Sequence, residues 1–151
     1  SSEHFGDVKM AYTQELHHKI LFLLMEDSRL SHREIAEKLK VSPTTVGKII
    51  KSMEKSGVLQ GYTVLVDWSI LGYDSVMCLQ LAADPGADIE KVGKHLKSLP
   101  EIKQVFYTMG DMTFACYGVC KDNNEAAELM KRLGQVDGIE KLVCHTVLRQ
   151  F

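Results

Sequence analysis

The stretch Ser31–Gly61, SHREIAEKLKVSPTTVGKIIKSMEKSGVLQG, decides how the chain reads. In Ser31-His32-Arg33-Glu34 a Ser stands three residues before a Glu. At that spacing each side chain satisfies the other's free backbone N–H at a helix start. Ile35, Ala36 and Leu39 then fall on one face at helical spacing. Ser42-Pro43 is a second start, with a hydroxyl N-cap and Pro at the first helical position. Val46, Ile50 and Met53 form an apolar stripe, and Gly57 ends the helix. Leu39-Lys40-Val41 is the whole connection between the two segments. Two short amphipathic helices joined so tightly predict a helix-turn-helix.

The polar side of the second helix carries the functional signal. Ser42, Pro43, Thr44, Thr45, Lys48, Lys51 and Lys55 lie off the Val46/Ile50 stripe. From Lys38 to Lys55 there are five lysines against one acid, Glu54. Lysines neutralise phosphates, and short hydroxyl side chains near a helix N-terminus reach base edges or phosphate oxygens. These seven residues are the candidate DNA-binding set. A solvated basic helix in a small bundle is the plainer reading of the same pattern.

On the N-terminal side, Leu16, Ile20, Leu23 and Leu24 predict a helix over 14–26. His17 and His18 lie within it, and adjacent histidines lack the spacing of a metal pair. Residues 1–12 read as a flexible leader. On the C-terminal side, residues 58–66 are rich in β-branched and aromatic types and predict a β wing. The first domain is thus a winged helix-turn-helix over 13–61. A linker over 62–72 follows, in which Trp68 is read as packing at the junction rather than as a ligand platform.

Residues 73–151 alternate in a different rhythm. Strands are expected over 73–83, 102–109, 112–120 and 139–148, and helices over 88–99 and 123–133, with a turn at Gly110-Asp111. The order β-α-β-β-α-β is the ferredoxin-like split βαβ, an antiparallel sheet with two helices on one face. The fold class is therefore α+β. The sheet face without helices carries apolar side chains and is expected to pair with a copy of itself.

Composition is that of a globular protein: 151 residues, 45% hydrophobic and 25% charged, with net charge −2. Residues 1–61 carry nine Lys/Arg and eight Asp/Glu, whereas residues 62–151 carry nine and twelve. The basic patch is local, so DNA binding is expected to rely on several copies acting together. No apolar run approaches the ~18 residues of a membrane span. No secretory pattern is visible, and a cytoplasmic, nucleoid-associated protein is expected. Cys78, Cys116, Cys120 and Cys144 are far apart, lack C-x-x-C spacing and sit in strand-like runs. They are read as reduced, buried thiols, with no metal and no cofactor.

The ordered series Arg29-Leu30-Ser31, Glu34-Ile35-Ala36, Val41-Ser42-Pro43-Thr44-Thr45-Val46, Glu54-Lys55-Ser56-Gly57-Val58-Leu59, Gly61-Tyr62-Thr63, Leu71-Gly72-Tyr73, Leu99-Pro100-Glu101-Ile102, Gly110-Asp111 and Asp137-Gly138-Ile139 resembles the Lrp/AsnC family, the feast/famine regulators of bacteria and archaea. The resemblance implies that the second helix enters the major groove of double-stranded DNA. It implies a C-terminal domain that forms homodimers, assembles them into tetramers or octamers of dimers, and senses an amino acid. The implied effector residues are Tyr107, Met109, Gly110, Asp111, Thr113, Leu142 and Cys144. Five positions depart from the family pattern, the first being His17, where the family usually has an acidic residue. Ile49 stands where the family usually has Arg, Thr113 where it has Asp, and Leu142 and Cys144 where it has Thr. The effector set is thereby more apolar, which leaves an amino acid, another small molecule or no effector as alternatives.

Two rival functions are weighed against a transcriptional regulator. One is a sensing or assembly module that has lost DNA binding. The other is an enzyme resembling the siroheme decarboxylases, for which His95 and Tyr107 are scattered candidates without the His/Arg/Tyr cluster expected. No catalytic residue is assigned.

Overall fold

The computed structural model describes residues 2–151, with side chains from Gln14 onward. The leader expected over 1–12 lies outside the residues whose side chains are described. The chain divides into two compact units, Ser1–Leu65 and Val66–Phe151. The division falls inside the expected linker.

The first unit holds α1 (Ser2–Glu26), α2 (His32–Leu39) and α3 (Pro43–Ser56). The local signals act as their chemistry requires. The Ser31 Oγ accepts the Glu34 N–H at 3.2 Å, and the Ser31 N–H donates to the Glu34 carboxylate at 2.7 Å. The Ser42 Oγ accepts the Thr45 N–H at 3.1 Å. Lys40 closes α2 in the left-handed conformation, with φ 54°, a geometry that strains any residue bearing a Cβ. Leu16, Ile20 and Leu24 of α1, Ile35 and Ala36 of α2, Val46, Ile49, Ile50 and Met53 of α3, and Leu59 form one core. A Cβ at Gly47 would lie 3.1 Å from the His32 Nδ1, so the glycine lets α3 come close to the start of α2.

The β wing expected over 58–66 is not formed. Among the described residues no strand occurs between α3 and Ser75. Leu59 turns into the core, whereas Val64 and Leu65 are 77% and 95% exposed. The side chains have strand propensity, but a strand needs a neighbour to take its hydrogen bonds, and no second run in this unit supplies one.

The second unit is β1 (Ser75–Ala83), α4 (Ile89–Ser98), β2 (Ile102–Tyr107), β3 (Phe114–Cys120), α5 (Asn123–Gly134) and β4 (Ile139–Thr146). The sheet order is β2-β3-β1-β4, with every pairing antiparallel. This is the ferredoxin-like arrangement. Asp88 caps α4 through the Lys91 N–H, and Asp122 caps α5 through the Glu125 N–H. Val92 and Leu96 of α4 and Leu129 and Leu133 of α5 cover Met77, Leu79, Leu81, Phe114 and Cys116 on one sheet face.

The opposite face follows from the register. Tyr117, Cys78 and His145 form one cross-strand row, and Ala115, Gln80 and Val143 another. No helix of this unit covers them. Cys78 and Cys144 are exposed, while Cys116 and Cys120 are buried, and all four are free. The expectation of four buried thiols therefore holds for two. Cys78 faces away from the helices, and β4 is an edge strand that the helices cover only in part. Trp68 is half-buried and packs edge-on against Tyr73 at 5.6 Å, with the Lys103 ammonium 5.2 Å from its ring centre.

Candidate nucleic-acid interface and ligand region

At about 100° per residue, the buried residues Val46, Ile49, Ile50 and Met53 span an arc of about 100° around α3. Thr44, Lys48, Lys51 and Lys55 are exposed and crowd into an arc of about 60° on the opposite side. The helix thus has one fully apolar face and one hydroxyl-and-lysine face. Ile49 is 8% exposed and belongs to the core. The departure from Arg at this position therefore removes nothing from the outward face. Ile49 thus joins Val46, Ile50 and Met53 on the apolar stripe.

The hydroxyls at the N-terminus of α3 divide by role. Ser42 and Thr45 hold each other at 2.8 Å between their oxygens, and Ser42 also caps the helix. Pro43 occupies the first turn and is exposed. Thr44 points outward and makes no side-chain hydrogen bond among the described residues. Lys48, Lys51 and Lys55 form no ion pair among the described residues. The Tyr62 hydroxyl donates to Glu54 at 3.2 Å. Burial, and then the Glu54 carboxylate, push that hydroxyl above its ordinary value. Ser52 is exposed beside this face and was not singled out from sequence, where it lacks a cap or charge signal.

The expected effector residues fall into two groups. Tyr107 ends β2, and Met109, Gly110 and Asp111 form an exposed turn. The turn is closed from within. The Thr108 N–H donates to the Thr113 carbonyl at 2.8 Å, and the Thr108 hydroxyl to the Met112 carbonyl at 2.7 Å. Thr113 is tied to β1, donating its N–H to Leu81 at 2.8 Å and accepting the Ala83 N–H at 2.9 Å. Leu142 and Cys144 lie on β4. Tyr107, Phe114, Leu81 and Leu142 make one row across all four strands. Three strand spacings, about 14 Å, therefore separate Tyr107 from Leu142. One chain does not bring the two groups into a single pocket. His95 and Tyr107, the scattered enzyme candidates, lie on different elements, α4 and the end of β2, and only His95 lines the cleft beside α4.

Residues 13–60 match the family model described as winged helix-turn-helix DNA-binding. Residues 76–151 match the Lrp/AsnC ligand binding domain. The chain belongs to the Lrp/AsnC family. The HTH-type transcriptional regulator LrpC of Bacillus subtilis is 35% identical over 129 residues, covering 85% of this chain and 86% of that one. An uncharacterised HTH-type transcriptional regulator of Pyrococcus furiosus is 34% identical over 134 residues, 89% of this chain and 90% of its own. Among solved structures, Escherichia coli AsnC superposes with a TM-score of 0.74 at 25% identity, covering 90% of this chain and 92% of that one. Within the Lrp/AsnC frame, the protein is a DNA-binding transcriptional regulator with a ligand-binding domain. Among the described residues no helix is long and apolar enough to cross a membrane.

Proposed function

We propose that this Lrp/AsnC protein is a sequence-specific regulator that lays α3 in the major groove of duplex DNA and acts as an assembly of copies of itself. The observation that carries the reading is the division of α3. Thr44, Lys48, Lys51 and Lys55 share one exposed arc, and four apolar residues anchor the other side. Lysines supply the salt-dependent phosphate contacts, and Thr44 stands at the N-terminal end where recognition helices meet base edges.

Assembly is supported by the uncovered sheet face and by the exposed, unpaired segment around Val64 and Leu65. A symmetric homodimer would cover such a face and set two copies of α3 at a fixed spacing. Tetramers or octamers of dimers extend the same logic. The split between Tyr107 and Leu142 supports an amino-acid or similar small effector bound between copies rather than within one. The protein works in the cytoplasm, on the nucleoid. Loss of DNA binding was suggested by Ile49 in place of Arg. Burial of Ile49 withdraws that support.

The test is a footprint of the full-length protein on genomic DNA, with light scattering on the same sample. Discrete protected sites with an oligomer are the expected result. Uniform, sequence-independent retardation, or a 17.0 kDa species in solution, would overturn the reading.

A further inference from the structure

The second unit contains a concavity separate from the β2–β3 turn. An open cleft of about 690 Å3 lies between α4 and the α5–β4 connection, a size common for small-molecule sites. Its ionisable lining comes from Asp84, Asp88, Lys91, His95, Arg132 and Asp137. The backbone brings two of the acids to one end. The Asp84 N–H donates to the Gly138 carbonyl at 2.8 Å, which sets Asp84 beside Asp137. Lys91 and His95 lie one helical turn apart on α4 and face the same space. Gly138 has φ +92°, and a Cβ there would come within 3.2 Å of the Ala87 Cβ and 3.4 Å of the Val92 Cγ2. The two loops close on each other because residue 138 has no side chain.

The charges are unevenly engaged. Asp88 is committed to the Lys91 N–H, and one Arg132 nitrogen to Glu101. The side chains of Asp84, Asp137, Lys91 and His95 have no protein partner among the described residues. A purely anionic ligand would meet three carboxylates in this cleft. A purely cationic one would meet Lys91 and Arg132. A molecule bearing an ammonium at one end and a carboxylate at the other meets an opposite charge at both.

We propose that this cleft binds a small zwitterion, a free amino acid or short peptide, with its ammonium toward Asp84 and Asp137 and its carboxylate toward Lys91, His95 and the unused Arg132 nitrogens. The site is complete within one chain and is distinct from the effector position shared between copies. It places a second sensing surface on the helix-covered side of the domain.

Isothermal titration of the full-length protein tests this with single amino acids, diglycine, and their N-acetylated and amidated forms. Binding of the free-ended forms is expected, weakened about tenfold or more by blocking either end. Asp137→Asn and Lys91→Met should each weaken binding about tenfold, with Lys91→Arg restoring it and Lys121→Ala, at an exposed position outside the cleft lining, leaving it unchanged. Amino acids and peptides are told apart by which free-ended probe binds more tightly. Binding lost in Tyr107→Ala but intact in Asp137→Asn and Lys91→Met would overturn the cleft and uphold the turn. Absence of binding by any free-ended probe at millimolar concentration would also overturn it.

Discussion

The Thr113 hydroxyl accepts the backbone N–H of Ala83 at 2.9 Å, across thirty positions of sequence. Ala83 sits where the pairing of β1 with β4 shifts register. On its other side the β1–β3 ladder ends at Leu81 and Phe114, two residues short of Ala83, and the Thr113 side chain supplies the acceptor there. Thr113 thus joins the β2–β3 turn to the end of β1.

Thr113→Val should therefore destabilise the second unit by about 1–2 kcal/mol, since it keeps the shape and removes the acceptor of a half-buried N–H. Thr113→Ser should recover most of the loss. Urea unfolding followed by the fluorescence of Trp68 reports on this unit. Equal midpoints for Val and wild type would show that the bond contributes nothing.

Ser42 offers a separation of stability from binding. Ser42→Ala should lower stability of the first unit by about 1 kcal/mol through loss of the cap. Ser42→Asp keeps a capping oxygen and adds a favourable charge at the helix N-terminus, so stability should be retained. The same charge faces the phosphates, so DNA affinity should fall. Thermal melts read against gel shifts decide the matter; an Asp variant with undiminished affinity would move the DNA away from this end of α3.

For Lys48 and Lys51, the double change to Ala should weaken binding and lower the slope of log affinity against log salt by about 2, on the basis of roughly 0.9 per phosphate contact. Titrations at several salt concentrations measure it. A slope identical to wild type would take this helix out of the interface.

Alkaline pH should reveal the two buried thiols. Burial pushes Cys116 from its ordinary value of 9.0 up to about 11. Burial first, and then the nearby Glu125 and Glu101 carboxylates, do the same to Cys120. The folded state holds these protons more tightly than the unfolded chain, so the stabilisation is complete below pH 9 and declines as pH rises toward 11. Urea midpoints across that window should fall less steeply in a Cys116→Val/Cys120→Val variant than in the wild type. Parallel declines would show that other groups dominate.

What could be read from the chain alone follows the range of the interaction. Ser31, Glu34, Ser42 and Pro43 announced two helices because a cap is completed within four residues. Alternation in β1 and helical spacing in α4 and α5 gave the order of the second unit for the same reason. The wing failed because a strand at 58–66 depends on a partner that the local sequence does not contain. Ile49 was set apart by comparison with Arg in relatives, although its period already pointed inward. The α4–α5 cleft draws residues from 84–95 and 132–138, joined by the Asp84–Gly138 hydrogen bond. No motif spacing connects segments so far apart, so nothing in the sequence announced it.

The two-sided build of α3 has an evolutionary corollary. Thr44, Lys48, Lys51 and Lys55 contribute nothing to the core in which Val46, Ile49, Ile50 and Met53 are packed. Substitutions on the outer arc can alter which bases are preferred at little cost in folding free energy. Duplicated copies of such a gene could diverge toward new operators by a handful of surface changes, while the scaffold that presents the helix stays intact.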